Sequence, residues 1–228
     1  MDSSVPHPGY STSKPLIAPI RSMYKELGAQ DACIQLQELS ANYLEKSAAA
    51  MNAQVNDFLK LLYKANGIPH GSYNFAEMRS IACTSYLLVT HSLFDKMVKG
   101  CIRHYRTANP ATDTQWVNSV GGKTLAPLRR LAHNLPKPEQ AKLTSPAEFR
   151  LFEYYRQVRV AGTHVADKTQ KKAAVAFAAL TQNDIQHFAE YAQICTAPNK
   201  PEAIGFDDFK LYTRSIKYYS NILNDVCS

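Results

Sequence analysis

A capped, amphipathic helix beginning near Ser145 is the feature that most limits what this chain can fold into. Ser145 can cap the helix through its hydroxyl, Pro146 suits a first helical position that needs no N–H, and Glu148 completes a capping box. Apolar residues then recur at three- and four-residue steps: Leu151, Tyr154, Tyr155, Val158, Ala161 and Val165. Polar residues fall largely outside this stripe: Arg150, Arg156, Arg159 and Thr163. The segment therefore predicts a helix with one buried face and one arginine-rich face.

Helical signals also precede this segment. Residues 20–66 have a helical apolar pattern that suits two helices or one long broken helix, and Gly28 suggests a break near its start. Asn74 with Glu77 forms a second capping box, which predicts a helix to about Tyr105. This helix is expected to be central, because apolar residues recur along it: Met78, Ile81, Ala82, Tyr86, Leu87, Val89, Leu93, Phe94, Met97 and Val98.

Two more helices are predicted after the arginine-rich one. Thr181 with Asp184 caps a helix reaching Cys195, and a last helix runs over about Phe206 to Val226. The composition, with 45% hydrophobic residues and only nine glycines, suits a helical protein better than a strand-rich one. The sequence therefore predicts an all-α protein, with residues 1–19 as an extended or disordered arm and residues 20–228 as a single helical domain.

Residues 109–144 are rich in proline and glycine and predict an irregular insertion with a short helix over 126–134. Arg129, Arg130 and His133 fall on that helix, where they indicate either a polyanion contact or a solvated basic face. The run Gly121 to Thr124 resembles the end of a phosphate loop. Because valine stands at position 117 where that motif needs glycine, a flexible turn is the better interpretation.

Charge and cysteine usage limit the functional classes. A net charge of +7 favours a polyanionic partner. Five cysteines, odd in number and without a C-x-x-C pair, indicate reduced thiols in a cytoplasm-like compartment rather than structural zinc. The first twenty residues resemble neither a signal peptide nor an anchor, and no apolar run is long enough for a membrane span. We therefore expect a cytoplasmic protein that uses neither a metal nor a cofactor.

Arg159 and His164 are the candidate chemical pair. Arginine binds phosphate oxygens bidentately, and histidine transfers protons near neutral pH. Five helical positions correspond to about 140° of rotation, so the two side chains share a face only if the helix ends, tightens or bulges between them. Gly162 permits such a change. Two histidines on the central helix, His91 and His104, are expected to be structural or solvated. Asp95 on that helix could orient an imidazole near the motif or lie as a surface carboxylate among lysines.

The segment YYRQVRVAGTH, residues 154–164, resembles the signature of HEPN domains. These are helical-bundle proteins whose motif is an arginine, four to six residues, then a histidine, near the end of a long helix. The resemblance implies an HEPN-like bundle with extra N- and C-terminal helices and a core over about 74–195. It also implies a metal-independent endoribonuclease in which Arg159 and His164 are catalytic, and a homodimer whose motif helices form one composite cleft. A toxin or defence role with an antitoxin or other regulatory partner is implied in the same way.

Two alternatives stay open beside the nuclease. Val160 stands where family nucleases often have a polar residue, which favours a non-catalytic helical module that binds RNA or a protein. In the other alternative, Arg159 caps backbone carbonyls or pairs with an acid such as Glu153, and His164 only ends the helix by interacting with its dipole. For either RNA-dependent function, the predicted RNA contacts are Arg156, Thr163, Lys168, Lys171, Arg129 and Arg130.

Overall fold

A computed structural model of the chain describes residues 14–144, 147–163, 167–189 and 197–228. The helices in this part are α1 (Ala18–Ala50), α2 (Val55–Ala65), α3 (Phe75–Ala108), α4 (Pro127–His133), α5 (Lys137–Thr144), α6 (Ala147–Thr163), α7 (Asp167–Ala178), α8 (Gln182–Ala189) and α9 (Phe206–Cys227). Two 3₁₀ turns (Pro110–Gln115 and Pro201–Ala203) and a two-stranded hairpin, β1 (Ser119–Val120) with β2 (Lys123–Thr124), complete the described elements. The all-α prediction is confirmed.

The predicted caps that lie in the described residues form. The Asn74 side chain accepts a hydrogen bond from the Glu77 N–H at 2.9 Å, and the Asn74 N–H donates to the Glu77 carboxylate at 2.8 Å. The Thr181 hydroxyl oxygen accepts from the Asp184 N–H at 3.1 Å, and the Thr181 N–H donates to Asp184 at 2.9 Å. Each cap satisfies N–H groups that have no partner inside the helix, so α3 and α8 begin where the sequence predicts.

The predicted break near Gly28 is wrong. α1 passes through Gly28 without interruption, because a single glycine lowers helix stability by only about 1 kcal/mol and the packing of α1 on α3 and α9 outweighs that cost. The chain turns instead at Asn52, whose φ of +52° places it in the left-handed region that asparagine tolerates better than most residues. α2 then ends before Gly67, which has a φ of +65°.

α3 and α9 lie at the centre of the described bundle. α3 packs against α1, α4, α6 and α9, and α9 also packs against α1, α5 and α6. Large side chains of α3, α6 and α9 are completely buried between them, namely Phe94, Tyr154, Tyr155, Tyr212 and Tyr219. Burying an apolar side chain of this size stabilises the fold by about 1.5–3 kcal/mol, so this contact of three helices is the main part of the core.

A buried carboxylate joins α6 to the beginning of α9. Asp208 is completely buried, and its carboxylate accepts hydrogen bonds from the Tyr155 hydroxyl at 2.7 Å and the Gly205 N–H at 2.9 Å. Asn199 donates two more, from its backbone N–H at 2.9 Å and its side-chain amide at 2.8 Å. Four donors compensate for the loss of water around a buried carboxylate, and they fix the position of α6 relative to α9.

The apolar stripe of α6 is confirmed for Leu151, Tyr154, Tyr155, Val158 and Ala161, which are all buried; Val165 lies outside the described residues. The stripe predicted for α9 is also buried from Phe209 to Leu223.

Other details of the sequence reading fail. Two residues predicted for the core of α3, Ile81 and Val89, are about half exposed. The short helix α4 is confirmed, but α5 was not predicted inside the insertion. Gly121 and Gly122 both have positive φ and form the hairpin turn, which agrees with the interpretation against a phosphate loop.

Candidate functional site: a basic surface on α6

Arg156 and Arg159 lie on α6 beside its buried stripe, and both are half-buried. They line a cavity of about 70 Å³ together with residues of α3 and α4. The other charged or titratable residues of this cavity are His91, Asp95, Arg129 and Glu153. Because the buried stripe of α6 packs against α3, Arg159 lies close to His91 and Asp95, which are some sixty positions earlier in the sequence.

Glu153 positions two of the three arginines. Its carboxylate accepts a hydrogen bond from the Arg129 guanidinium at 2.8 Å, and from Arg156 at 3.0 and 3.1 Å. Glu153 is 17% exposed, so these are charge-assisted bonds in a partly desolvated place. The carboxylate neutralises one positive charge and leaves the surface cationic.

His91 and Asp95 lie at the base of the cavity. The Nδ1 atom of His91 is 2.6 Å from the Tyr212 hydroxyl, and its Nε2 atom is 3.7 Å from an Asp95 carboxylate oxygen. Burial, with a contribution from the positive charges of Arg159 and Arg156, lowers the pKa of His91 to about 3. Burial also raises the pKa of Asp95, against the opposing effect of Arg159. His91 is therefore a neutral structural imidazole at physiological pH, and Asp95 is half-buried rather than a free surface carboxylate.

A lysine-lined groove runs along the other side of α6. It has a volume of about 810 Å³ and is formed by α6 and α7. Lys168, Lys171 and Lys172 line it from α7, while Glu153 and Gln157 line it from α6. All three lysines are exposed. Because Glu153 lies on both the groove and the small cavity, the two features form one continuous basic surface, which we call the α6 surface.

The remaining predicted site residues have different surroundings. Arg130 is half-buried and donates to the Leu125 carbonyl at 3.1 Å, so it helps hold the chain before α4. His133 is exposed. Thr163 is the last residue of α6, but its side chain lies outside the described part of the structure, as does the whole of His164.

α6 is a continuous α-helix through Gly162 to Thr163. The bulge that we allowed for between Arg159 and His164 is therefore not found over 159–163. Gly162 is exposed, and a methyl group there would lie in ordinary contact with the Thr84 side chain at 3.4 Å, so the glycine neither breaks the helix nor is required by its packing.

Acidic side chains gather elsewhere. A cleft of about 750 Å³ between α1, α3 and the chain before α9 is lined by Glu38, Glu45, Glu77, Glu202 and Asp207. Arg79 also lines this cleft and pairs with Glu38 and Glu45. The two signs of charge are thus separated on the molecule, and a polyanion will approach the α6 surface in preference to the acidic cleft.

Sequence reasoning found only part of the site. His91 is structural, as expected, and lies four positions from Asp95 on α3, but the sequence did not show that α6 brings Arg156 and Arg159 beside both residues. Glu153 was considered as a partner for Arg159, and it accepts hydrogen bonds from Arg129 and Arg156, which were not predicted as its partners. The i to i+3 spacing of Glu153 and Arg156 is the one local signal that could have indicated this pairing.

Comparisons of this chain with protein-family models, with curated proteins and with solved structures give no match. In the described part of the chain, no helix combines the length and the apolar character that crossing a bilayer needs. The same residues contain no group of three or more His, Cys, Asp or Glu side chains placed to hold a metal ion.

Proposed function

We propose that this chain binds RNA on the α6 surface and cleaves it without a metal, as an HEPN-type endoribonuclease. The observation that carries the proposal is the convergence of Arg156 and Arg159 on one cavity, with Lys168 and Lys171 exposed along the same helix pair. Proteins bind a nucleic-acid backbone through a row of cations that contact successive phosphates, and here the row includes two arginines.

The proposed reaction needs only groups of the RNA and of the protein. The 2′-hydroxyl attacks the adjacent phosphorus, the bond from phosphorus to the 5′-oxygen breaks, and the products carry a 2′,3′-cyclic phosphate and a 5′-hydroxyl. Arg159 would stabilise the charge on the phosphorane, and His164 would transfer the proton. Asp95 lines the same small cavity as Arg159, so its carboxylate can help to orient the Arg159 guanidinium.

The HEPN resemblance adds partners to the proposal. In that family, the motif helices of two protomers face each other, so the proposal includes a homodimer with paired Arg159 and His164. The proposal also includes an antitoxin or other regulatory protein as a partner, a role in defence and a cytoplasmic location. The free cysteines among the described residues, Cys33, Cys83, Cys101 and Cys227, are compatible with a reducing compartment.

A non-catalytic RNA-binding module is the second candidate. Two observations favour it: Val160 gives Arg159 an apolar neighbour on α6, and the Glu153 carboxylate already occupies the guanidinium groups of Arg129 and Arg156. A module of this kind would use the same cations for affinity and would leave the RNA intact.

The deciding experiment is incubation of the pure protein with labelled single-stranded RNA in EDTA, with the product ends analysed. We expect 2′,3′-cyclic phosphate ends, loss of cleavage in Arg159→Ala and His164→Ala, and unchanged cleavage in the control Arg21→Ala, which removes an exposed arginine of α1.

The binding module predicts a different result. RNA would shift in a binding assay and stay uncut, and Arg159→Ala would weaken binding more than Arg21→Ala. Absence of both cleavage and binding would contradict both candidates.

A further inference from the structure

α1 has two apolar faces, and the rest of the described chain covers only one of them. The inner face packs on the bundle through residues spaced by seven, namely Leu27, Ile34, Ala41 and Ala48. The outer face includes Leu36, Leu39 and Tyr43, which are 65%, 66% and 71% exposed. Three large apolar side chains so exposed, on a helix that is otherwise well packed, mark this face as an interaction surface.

The outer face has the spacing of a coiled-coil seam. Its residues alternate by three and four positions over three heptads: Ala29, Ala32, Leu36, Leu39, Tyr43, Lys46 and Ala50. Every one of them is exposed. The positions that flank the seam carry no charge over this length, namely Cys33, Gln35, Ser40, Asn42, Ser47 and Ala49. We call residues 29–50 of this face the α1 seam.

We propose that the α1 seam binds the α1 seam of a second copy of this chain, in antiparallel orientation about a two-fold axis. In the register centred between Leu36 and Leu39, each of these leucines lies opposite the other leucine of the second copy. Ala32 then lies opposite Tyr43, and Ala29 opposite Lys46. Leucines thus face leucines in the two central layers, and alanines face the larger Tyr43 and Lys46 in the layers outside them, which is how facing helices fill the space between them.

The low charge of the seam favours this occupant. Two molecules that each carry +7 repel one another, so a contact between copies needs a face with little positive charge. Among the residues of the α1 seam and its flanking positions, Lys46 alone is charged. In the proposed register, Lys46 of one copy lies three positions from Glu26 and four positions from Lys25 of the other, so attraction and repulsion offset one another at each end of the seam.

Other occupants fit the seam less well. Residues 1–13 contain two prolines and only Met1, Val5 and Tyr10 as large apolar side chains, so they offer few anchors for a seam of three heptads. The proposed contact is independent of RNA cleavage, since among the described residues α1 lines neither the cavity nor the groove of the α6 surface. If the motif helices also pair, the two contacts together form a larger assembly.

The test measures mass by sedimentation equilibrium. We expect wild-type protein to associate at micromolar concentrations, and Leu36→Glu/Leu39→Glu to have half its mass or less. The control Leu61→Glu, which changes an equally exposed leucine of α2, should keep the wild-type mass. All these sites are exposed, so circular dichroism should show the same helicity in each variant.

Mixing two single variants tests the register. Leu36→Glu and Leu39→Lys should form a mixed dimer in preference to either self-pair, because the antiparallel register places the new glutamate opposite the new lysine. The proposal is overturned by a monomeric wild type, by an unchanged mass in the double variant, by an equal effect of Leu61→Glu, or by no preference on mixing. Association that begins only after deletion of residues 1–13 would identify that segment as the occupant and would also overturn it.

Discussion

The Nδ1 atom of His91 lies 2.6 Å from the hydroxyl oxygen of Tyr212, inside the core. Burial raises the pKa of Tyr212, so the phenol keeps its proton. It can therefore donate this proton to Nδ1 of the neutral imidazole. The Nε2 atom then carries the imidazole hydrogen and faces Asp95, 3.7 Å away. This pair joins α3 to α9 directly beneath Arg156 and Arg159.

We expect His91 to make the protein less stable in mild acid. The pKa of the unfolded histidine is about 6.5 and that of the folded one is about 3, so only the unfolded state binds the proton between these values. The stabilisation is complete above pH 6.5 and is lost as the pH falls toward 3. Wild type should lose about 2 kcal/mol of unfolding free energy between pH 7 and pH 5 from this group. Urea unfolding at both pH values measures it.

His91→Gln supplies the control for that measurement. Glutamine can still accept from Tyr212 but does not titrate, so its stability should change less between the two pH values. An equal loss in both proteins would assign the pH dependence to groups other than His91.

Substitution by alanine should have opposite effects on stability at two helical glycines, Gly100 and Gly28. A methyl group on Gly100 would lie 2.7 Å from Cβ of Pro19 and 2.9 Å from its Cγ, so α1 and α3 would have to separate. We expect Gly100→Ala to destabilise the protein by about 1–3 kcal/mol. Gly28 has no atom within 4 Å of that position, so Gly28→Ala should stabilise by about 0.5–1 kcal/mol. Thermal unfolding of both variants checks the difference, and equal midpoints would contradict the close approach of Pro19 to Gly100.

The ion pair of Arg150 with Asp184 should contribute more to folding stability than an ion pair on the surface. Asp184 accepts from Arg150 Nε at 2.9 Å and from the Thr181 hydroxyl at 2.8 Å, so it fixes the start of α8 on α6. We expect Asp184→Asn to cost about 1–3 kcal/mol in chemical denaturation, since both groups lose a charged partner. Asp57→Asn, which removes an exposed pair with Lys60, should cost no more than about 0.5 kcal/mol.

The Arg150–Asp184 pair should also make the folding stability depend on pH in acid. The hydrogen bonds from Arg150, with those from Thr181, lower the pKa of Asp184 to about 2. Its stabilisation is therefore present above pH 4 and is lost as the pH falls from about 4 to 2. Asp184→Asn should remove this loss, whereas Asp57→Asn should retain it.

Glu153 should limit the affinity for RNA. Glu153→Gln removes the negative charge between Arg129 and Arg156, so RNA should bind about two- to fivefold more tightly, as expected for a surface charge worth ~0.4–1 kcal/mol. Fluorescence anisotropy with a short single-stranded RNA measures this. Glu202→Gln changes the net charge equally but lies in the acidic cleft, so it should have a smaller effect. Equal effects of the two variants would indicate that binding depends on net charge alone, without a defined α6 surface.

Sequence reasoning succeeded where the signal was local. The cap at Asn74 and the cap at Thr181 depend on residues three positions apart, and the buried stripes of α6 and α9 depend on helical periodicity. It failed where long-range packing decides the outcome. α1 continues through Gly28 because its packing on other helices outweighs one unfavourable residue.

The candidate site was predicted only in part for the same reason. Arg159 and the lysines of α7 could be identified from one segment. The packing that places Arg159 of α6 beside His91 and Asp95 of α3, and the bond from Arg129 to Glu153, join residues of different helices. No periodicity along a single helix contains that information.

The central position of α9 has a consequence for synthesis. The ribosome completes α1 to α8 before it adds the helix that lies among them, and Ile17 near the start of α1 donates its N–H to Asn224 near the end of α9 at 2.9 Å. A nascent chain interrupted before residue 206 would therefore expose the apolar sides of α3 and α6 to water. Such truncated products should bind chaperones, and the tertiary structure should close only after translation has passed Cys227.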